Sequence, residues 1–147
     1  MGKIKKSSNV TISAGKSSIG PAEAAALYIE LGWGTEKEYS VAQMKRSLAN
    51  CDIVVSARND AGELIGISRV LSDFATTTKI LDVVIAPEYQ HQGIGKLIME
   101  KIASLAEGTD IYGETERRNF AFLEGCGYRK RRGLMVFVKK SGRKAKK

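Results

Sequence analysis

The sequence is poor in cysteine and contains no long apolar run. Its 147 residues include two cysteines, one histidine and two prolines. Two cysteines form neither a disulfide framework nor a metal cluster, so we predict reduced thiols at Cys51 and Cys126, no metal site and a cytoplasmic location. No run approaches the roughly 20 apolar residues that span a bilayer, and no apolar signal-peptide core follows the basic start at residues 1–6. A membrane partner is therefore not expected.

The net charge of +8 is concentrated at the two ends of the chain. Residues 1–6 contribute three lysines and residues 139–147 six basic residues, with no acid among them. Without these nine, 15 basic residues face 16 acidic ones, so the body of the chain is nearly neutral. Basic tails attract polyanions non-specifically, and they serve equally well as solubilising ends. Nucleic-acid binding beyond such contacts is not predicted.

The order of helical and strand patterns predicts one domain with a mixed α+β sheet and a core at about residues 9–140. Pro21 begins a helix that ends at Gly32, and Ser40 caps a second helix that reaches about Asn50. Helical spacing recurs at 93–106 and 118–125. Strand patterns occur at 52–58, 64–71, 79–86, 110–115 and from Tyr128 onward, the last being Leu134–Val138.

The segment from Leu81 to Leu97 has the pattern of an anion-binding site. An apolar strand leads into a loop, and the loop enters an amphipathic helix through Gly93 and Gly95. The first turn of a helix has N–H groups without intrahelical partners and a partial positive charge, and glycine allows a ligand to approach the backbone closely. A pyrophosphate would accept those N–H groups. A tight strand-to-helix turn explains two glycines equally well, so the pattern alone leaves both interpretations open.

The order Gln90-x-x-Gly93-x-Gly95 resembles the coenzyme A motif of the GCN5-related N-acetyltransferase (GNAT) superfamily, Gln/Arg-x-x-Gly-x-Gly/Ala. The resemblance to small bacterial members covers roughly residues 20–138. Its further segments are Gly32–Gly34, Arg58–Gly66, Arg69–Asp73 and Asn119–Tyr128. It implies the GNAT fold, in which a central, mostly antiparallel sheet with splayed fourth and fifth strands is flanked by helices.

The resemblance also implies an acyl-CoA-dependent N-acyltransferase (EC 2.3.1.-). Acetyl-CoA would be the co-substrate, and a small-molecule or peptide amine would attack its thioester directly in a ternary complex. Homodimers are common in the family. The backbone of the fourth strand would pair with the pantetheine arm and present an N–H to the thioester oxygen. The implied coenzyme contacts are Val83, Val84, Ile85, Gln90, His91, Gln92, Gly93, Ile94, Gly95, Lys96 and Asn119.

The resemblance does not identify the general acid, which would protonate the leaving sulfur. Many relatives have a tyrosine as this proton donor, at the position where this chain has Leu123. Tyr112 on the fifth strand is the replacement that we predict, and it also reads as a core or edge aromatic. Asp82 and Glu114 lie on the strands that would flank the coenzyme and are the candidate bases. A hydrogen-bonded structural aspartate and a solvated glutamate are the alternatives for these two.

The acceptor site is predicted near Trp33, in the loop between the first two helices, where an aromatic ring can face a cationic or apolar acceptor. Arg69 on the third strand is a candidate for holding an acceptor carboxylate. Two other functions remain open. Leu123 is consistent with an acyl-CoA-binding module without catalysis, and the basic tails at 1–6 and 139–147 are consistent with a nucleic-acid- or ribosome-associated protein.

Overall fold

The computed structural model describes residues 9–141, so the predicted tail at 1–6 and most of the tail at 139–147 lie outside the described residues. The four helices in this range are α1 (Pro21–Glu30), α2 (Val41–Asn50), α3 (Ile94–Leu105) and α4 (Phe120–Gly125). The five strands are β1 (Thr11–Ala14), β2 (Ile53–Arg58), β3 (Leu64–Ser72), β4 (Thr77–Ile85) and β5 (Asp110–Gly113).

The five strands form one sheet in the order β1-β2-β3-β4-β5. The pairs β1–β2, β2–β3 and β3–β4 are antiparallel, and β5 is parallel to β4. A parallel neighbour requires a crossover, which α3 provides. The predicted mixed sheet with flanking helices is therefore confirmed. No helix in the described range is long and apolar enough to cross a membrane.

The sheet separates two apolar cores. On one face, α1 and α2 pack through residues such as Leu27, Met44 and Leu48. On the other face, α3 packs through Ile98 and Ile102, neither of which has measurable exposure. Each core joins helices to alternate residues of the central strands, as expected for a sheet that is covered on both faces.

The sequence-based predictions of the helix starts are confirmed. Pro21 is the first residue of α1, and the carboxylate of Glu23 accepts the backbone N–H of Gly20 at 2.8 Å. The Ser40 hydroxyl accepts the N–H of Gln43 at 3.2 Å and caps α2. Both contacts satisfy backbone donors that the first helical turn leaves free.

The prediction of strands beyond Tyr128 is wrong for the described residues, since 128–141 contain no helix or strand. Leu134–Val138 has the composition of a strand, but a strand forms only on a partner edge, and no such pairing occurs between residues 9 and 141. In contrast, β1 was not predicted from the sequence. It is four residues long and pairs with β2, more than 40 positions along the chain.

The turn between β3 and β4 is organised by Asp73. Its carboxylate accepts the backbone N–H groups of Thr77, Ala75 and Thr76 at 2.8–2.9 Å, and also the Thr76 hydroxyl. These hydrogen bonds, led by that of Thr77, hold the pKa of the Asp73 carboxyl well below its usual range. Hydrogen bonding to a carboxylate favours its charged form.

The lowered pKa of Asp73 predicts an acid-sensitive turn. The contribution of the Asp73 carboxylate to the stability of the protein is complete above the ordinary aspartate pKa of about 3.9. It is lost as the pH falls through the lower pKa that Asp73 has in the folded state. We expect the amide resonances of Ala75–Thr77 in NMR spectra to stay constant down to about pH 4 and to shift only in stronger acid. In Asp73→Ala this low-pH transition should be absent; its persistence in that variant would assign it to another group.

Candidate acyl-CoA site

A β-bulge in β4 sets the geometry of the site. Arg69 of β3 is paired with Asp82, while its neighbour Val70 is paired with Ile80, so Leu81 is an additional residue in β4. A bulge bends its strand and reverses the alternation of side chains beyond it. Ile80 accordingly packs in the α3 core, while Val84 packs in the α1–α2 core. The reversal turns Asp82 towards α1.

The pairing of β4 with β5 ends at the same bulge. Its last pair is Ile80 with Gly113, although β4 continues to Ile85. Within the described part of the chain, the β5-facing edge of residues 81–85 therefore has no strand partner. The predicted splay of the fourth and fifth strands is confirmed. An unpaired edge can accept an extended ligand as an added strand, and the predicted contacts Val83–Ile85 lie on it.

The loop after β4 leads directly to the N-terminus of α3. Its backbone has two positive φ angles, 61° at His91 and 83° at Gly93, the residue that caps α3. The Gln90 side-chain amide donates to the Ile85 carbonyl at 3.0 Å, and that of Gln92 donates to the Glu88 carbonyl at 3.0 Å. Both glutamines therefore hold the loop in shape, next to the first-turn N–H groups of α3.

The two glycines of the motif have different structural roles. A Cβ on Gly93 would meet no atom within 4 Å, but its positive φ disfavours any side chain. A Cβ on Gly95 would lie 3.1 Å from the ring of Phe122, so Gly95 permits close packing of α3 against α4. The open space beside Gly93 leaves the first-turn N–H groups of α3 accessible to an anion.

A contact that the sequence analysis missed connects this loop to the β2–β3 hairpin. The Asn59 side-chain amide donates to the Tyr89 hydroxyl at 3.0 Å, and its carbonyl oxygen accepts the N–H groups of Ala61 and Glu63. From the sequence, Asn59 is recognisable only as a residue between the strand patterns at 52–58 and 64–71. Its second function, which fixes Tyr89 four residues before Gly93, depends on a contact 30 positions away and has no local signature.

Asp82 is buried, and both of its carboxylate oxygens accept hydrogen bonds. The Arg69 side chain donates from Nε and from one Nη to one carboxylate oxygen, at 2.8 and 2.7 Å. The Tyr28 hydroxyl donates to the same oxygen at 2.7 Å. The other oxygen accepts the backbone N–H of Arg69 at 3.0 Å. Burial, followed by the charge of Asp82, raises the pKa of Tyr28 well above its ordinary value. Arg69 also donates to the Ser47 hydroxyl at 2.8 Å. This geometry favours structural roles for Asp82 and Arg69 over those of base and acceptor ligand.

Tyr112 and Glu114 lie at the end of β5, where the two strands separate. Tyr112 is 45% exposed, and Glu114 forms an exposed ion pair with Lys79 of β4. Exposed pairs of this kind are weak, so the Glu114 carboxylate is accessible to a ligand. Leu123, which replaces the family's tyrosine, is half-buried in the α3 core.

Trp33 lies between the Tyr28–Asp82 network and solvent. Its ring meets the Tyr28 ring edge-on at 5.9 Å between centroids, and the Tyr39 ring stacks on that of Tyr28 at 4.9 Å. With 47% of its surface exposed, Trp33 both anchors the α1–α2 loop and presents an aromatic face. The other predicted contacts, Lys96 and Asn119, are exposed.

Comparison with known proteins agrees with this geometry. The sequence model of the acetyltransferase (GNAT) domain matches residues 50–130. GCN5-related N-acetyltransferase 3, chloroplastic, of Arabidopsis thaliana is 38% identical over 73 residues, which cover 46% of this chain and 30% of that protein. A Glycine max protein named histone acetyltransferase TAP1 is 33% identical over 96 residues, which cover 58% of this chain and 40% of that protein.

A solved GNAT-family acetyltransferase of Streptococcus pneumoniae has the same fold, with a TM-score of 0.75 and 19% identity over 90% of this chain and all of that one. Since the domain model matches more than half of the sequence, this chain belongs to the GNAT acetyltransferase family, a family of acyl-CoA-dependent N-acetyltransferases. It spans about a third of the length of the curated relatives it matches.

Proposed function

We propose that this chain is an N-acetyltransferase that transfers the acetyl group of acetyl-CoA to a primary amine by direct attack in a ternary complex. The observation that carries the proposal is the open edge of β4 at residues 81–85, which runs directly into the left-handed cap of α3 at Gly93. Both features belong to one strand–loop–helix segment. Together they can bind an extended arm and its pyrophosphate.

The residues of this segment would hold acetyl-CoA in two ways. Backbone groups of Val83–Ile85 would bind the pantetheine arm as an added strand, and the N–H groups of Gly93–Lys96 would bind the pyrophosphate. The coenzyme supplies the activated acetyl group as a thioester. The enzyme holds that thioester against the amine, and such positioning supplies a large part of the rate.

Glu114 is the base that we propose, with Tyr112 as the proton donor to the leaving sulfur. Both side chains are exposed where β4 and β5 separate, whereas the oxygens of Asp82 are occupied by Arg69 and Tyr28. A base must be free to accept the proton of the ammonium group. Trp33, at the rim of the same region, is the proposed contact for the acceptor.

Replacing Glu114 by glutamine tests this assignment. We expect kcat to fall about 100-fold or more, because general-base catalysis contributes roughly that factor, with little change in the affinity for acetyl-CoA. Glu116→Gln is the matched control, since Glu116 forms a similar exposed ion pair with Arg118, at 3.0 Å. Steady-state kinetics of both variants check the prediction. If the two variants have the same kcat, Glu114 is not the base.

The activity itself is tested by following thiol release from acetyl-CoA across a panel of small amines and peptides. Turnover that depends on an amine supports the proposal. Leu123 favours one alternative, an acyl-CoA-binding module without catalysis, because leucine cannot donate a proton. Tight coenzyme binding in calorimetry, with no amine yielding thiol, would support that alternative instead.

The function of the basic tails and the cellular location are separate proposals. A contribution of residues 1–6 and 139–147 to nucleic-acid binding is tested by trimming them and measuring polyanion affinity as a function of salt. The cytoplasmic location is a prediction from cysteine usage alone. The names of two Arabidopsis thaliana relatives include the word chloroplastic, so localisation of a tagged full chain is the appropriate test.

A further inference from the structure

The loop that connects β4 to α3 contains two residues in the left-handed region of φ, His91 at 61° and Gly93 at 83°. Residues other than glycine rarely adopt such angles, and backbone strain persists only where surrounding contacts hold it. The side-chain hydrogen bonds of Gln90 and Gln92 begin and end within residues 85–92. They therefore shape the loop but do not attach it to another part of the fold.

Tyr89 attaches this loop to the body of the protein. Among residues 87–93 it is the one residue that is not exposed, and its ring packs against the α3 core. Its hydroxyl accepts a hydrogen bond from the Asn59 side-chain amide at 3.0 Å. Because Tyr89 lies two residues before His91, this hydrogen bond acts next to the strained part of the loop.

Asn59 is itself held in one orientation by the tip of the β2–β3 hairpin. Its side-chain carbonyl accepts the N–H groups of Ala61 and Glu63 at 3.0 and 2.9 Å. Its side-chain amide also donates to the Glu63 carboxylate at 2.7 Å. A side chain whose orientation is fixed by several hydrogen bonds can position a neighbouring group.

The hairpin tip is in turn attached to the start of α1 through Arg58. The Arg58 guanidinium donates to the Gly62 carbonyl at 2.9 Å and to the Glu23 carboxylate at 3.0 Å. Glu23 also accepts the backbone N–H of Gly20, which caps α1. Asn59 therefore connects the loop to a part of the fold that is fixed by its own contacts.

We propose that Asn59 is a positioning residue for acetyl-CoA, which acts through the Tyr89 hydroxyl to hold the loop at 91–93 in its left-handed conformation. The inference rests on the proposed function, because it assumes that the pyrophosphate binds at the N-terminus of α3. Asn59 does not need to touch the coenzyme. It keeps the loop in the shape that leaves the first-turn N–H groups of α3 accessible.

The expected consequence is a change in coenzyme affinity rather than in the rate of acetyl transfer. Without the hydrogen bond, the loop spends part of its time in other conformations, and the apparent affinity falls with the fraction of molecules that can bind. The acetyl end of the coenzyme is held elsewhere, at the proposed edge of Val83–Ile85. Loss of the contact should therefore raise the KM for acetyl-CoA and leave kcat unchanged.

Replacing Tyr89 by phenylalanine removes the hydroxyl and keeps the ring in the α3 core. We expect the dissociation constant of coenzyme A in calorimetry to rise about 3- to 10-fold, the range that corresponds to one lost hydrogen bond. The KM for acetyl-CoA should rise by the same factor, with kcat within about twofold of the wild type. A kcat that falls while the affinity is unchanged would overturn the positioning role.

Tyr128→Phe is the matched control, because Tyr128 is also half-buried against the α3 core but follows α4. Both variants lose one tyrosine hydroxyl next to the same core, so a general loss of stability would affect both. Only Tyr89→Phe should lose coenzyme affinity. Equal affinities in these two variants would overturn the proposal.

Asn59→Ala shows whether Asn59 acts through Tyr89. This variant removes the amide donor and also the acceptor of the turn, so its affinity for coenzyme A should fall at least as far as that of Tyr89→Phe. Because the two residues share one hydrogen bond, the loss in Asn59→Ala/Tyr89→Phe should be smaller than the product of the two single losses. Single losses that multiply would show that the residues act independently, against the proposal.

The affinity of the wild type separates this proposal from the proposed function. A wild type that does not bind coenzyme A in calorimetry would overturn both. A wild type that binds it, with a Tyr89→Phe variant that binds equally well, would overturn the positioning role and leave the proposed function intact.

Discussion

Gly93→Val is expected to abolish measurable binding of acetyl-CoA while leaving the protein folded. The φ angle of Gly93 is 83°, and the space beside it is open. A valine would add about 1–2 kcal/mol of backbone strain and would project its methyl groups into the space proposed for the pyrophosphate. We expect the dissociation constant in calorimetry to rise at least about 100-fold, which corresponds to roughly 2.7 kcal/mol.

Gly108→Val provides a matched control for this substitution. Gly108 also has a φ of 83° and no atom within 4 Å of an added Cβ, but it follows the C-terminal end of α3. The two variants should therefore lose similar stability, and only Gly93→Val should lose the coenzyme. Equal affinities for acetyl-CoA in the two variants would contradict the proposal that the pyrophosphate binds at the N-terminus of α3.

Asp82→Ala is expected to be the most destabilising single substitution that we consider. It would leave the partly buried guanidinium of Arg69 without its ion-pair partner and remove the acceptor of the Tyr28 hydroxyl. Breaking a buried ion pair costs about 3–5 kcal/mol, which corresponds to a decrease in Tm of roughly 10 °C or more in a domain of this size. Thermal unfolding measures the effect.

A double-mutant comparison separates this structural role from a catalytic one. Arg69→Met/Asp82→Leu removes both charges together and should recover much of the stability that Asp82→Ala loses, because an apolar pair often replaces a buried ion pair without penalty. Glu114→Ala, at an exposed pair, should change stability by less than about 1 kcal/mol. An Asp82→Ala protein as stable as the wild type but inactive would instead favour Asp82 as the base.

The elements that were predicted correctly have their determinants close together in the sequence. Pro21 and Ser40 define the starts of α1 and α2. The loop from Gln90 to Gly95 combined strand, glycine and helix patterns within a few residues. Local chemistry of this kind can be interpreted without knowledge of the fold, and it identified the proposed coenzyme site.

The features that were missed depend on distant partners. β1 forms only because β2 offers an edge, and the extra residue Leu81 becomes apparent only when β4 is aligned with β3. Asp82 was predicted as a candidate base, but its partners Arg69 and Tyr28 are 13 and 54 positions away. The sequence could therefore identify an important carboxylate without showing what it binds.

The apolar pattern at 134–138 predicted a strand, but in the described structure these residues are exposed and form no strand. Composition determines whether a segment can form a strand, but the available edge determines whether it does.

Amide resonances of the 15N-labelled protein during addition of coenzyme A test the central claim most directly. The account predicts that the largest shifts occur among Asp82–Ile85 and Gly93–Lys96, the open strand edge and the first turn of α3, and that Gly108 is unaffected. Shifts confined to the basic residues near the chain ends, or none at saturating coenzyme, would contradict it.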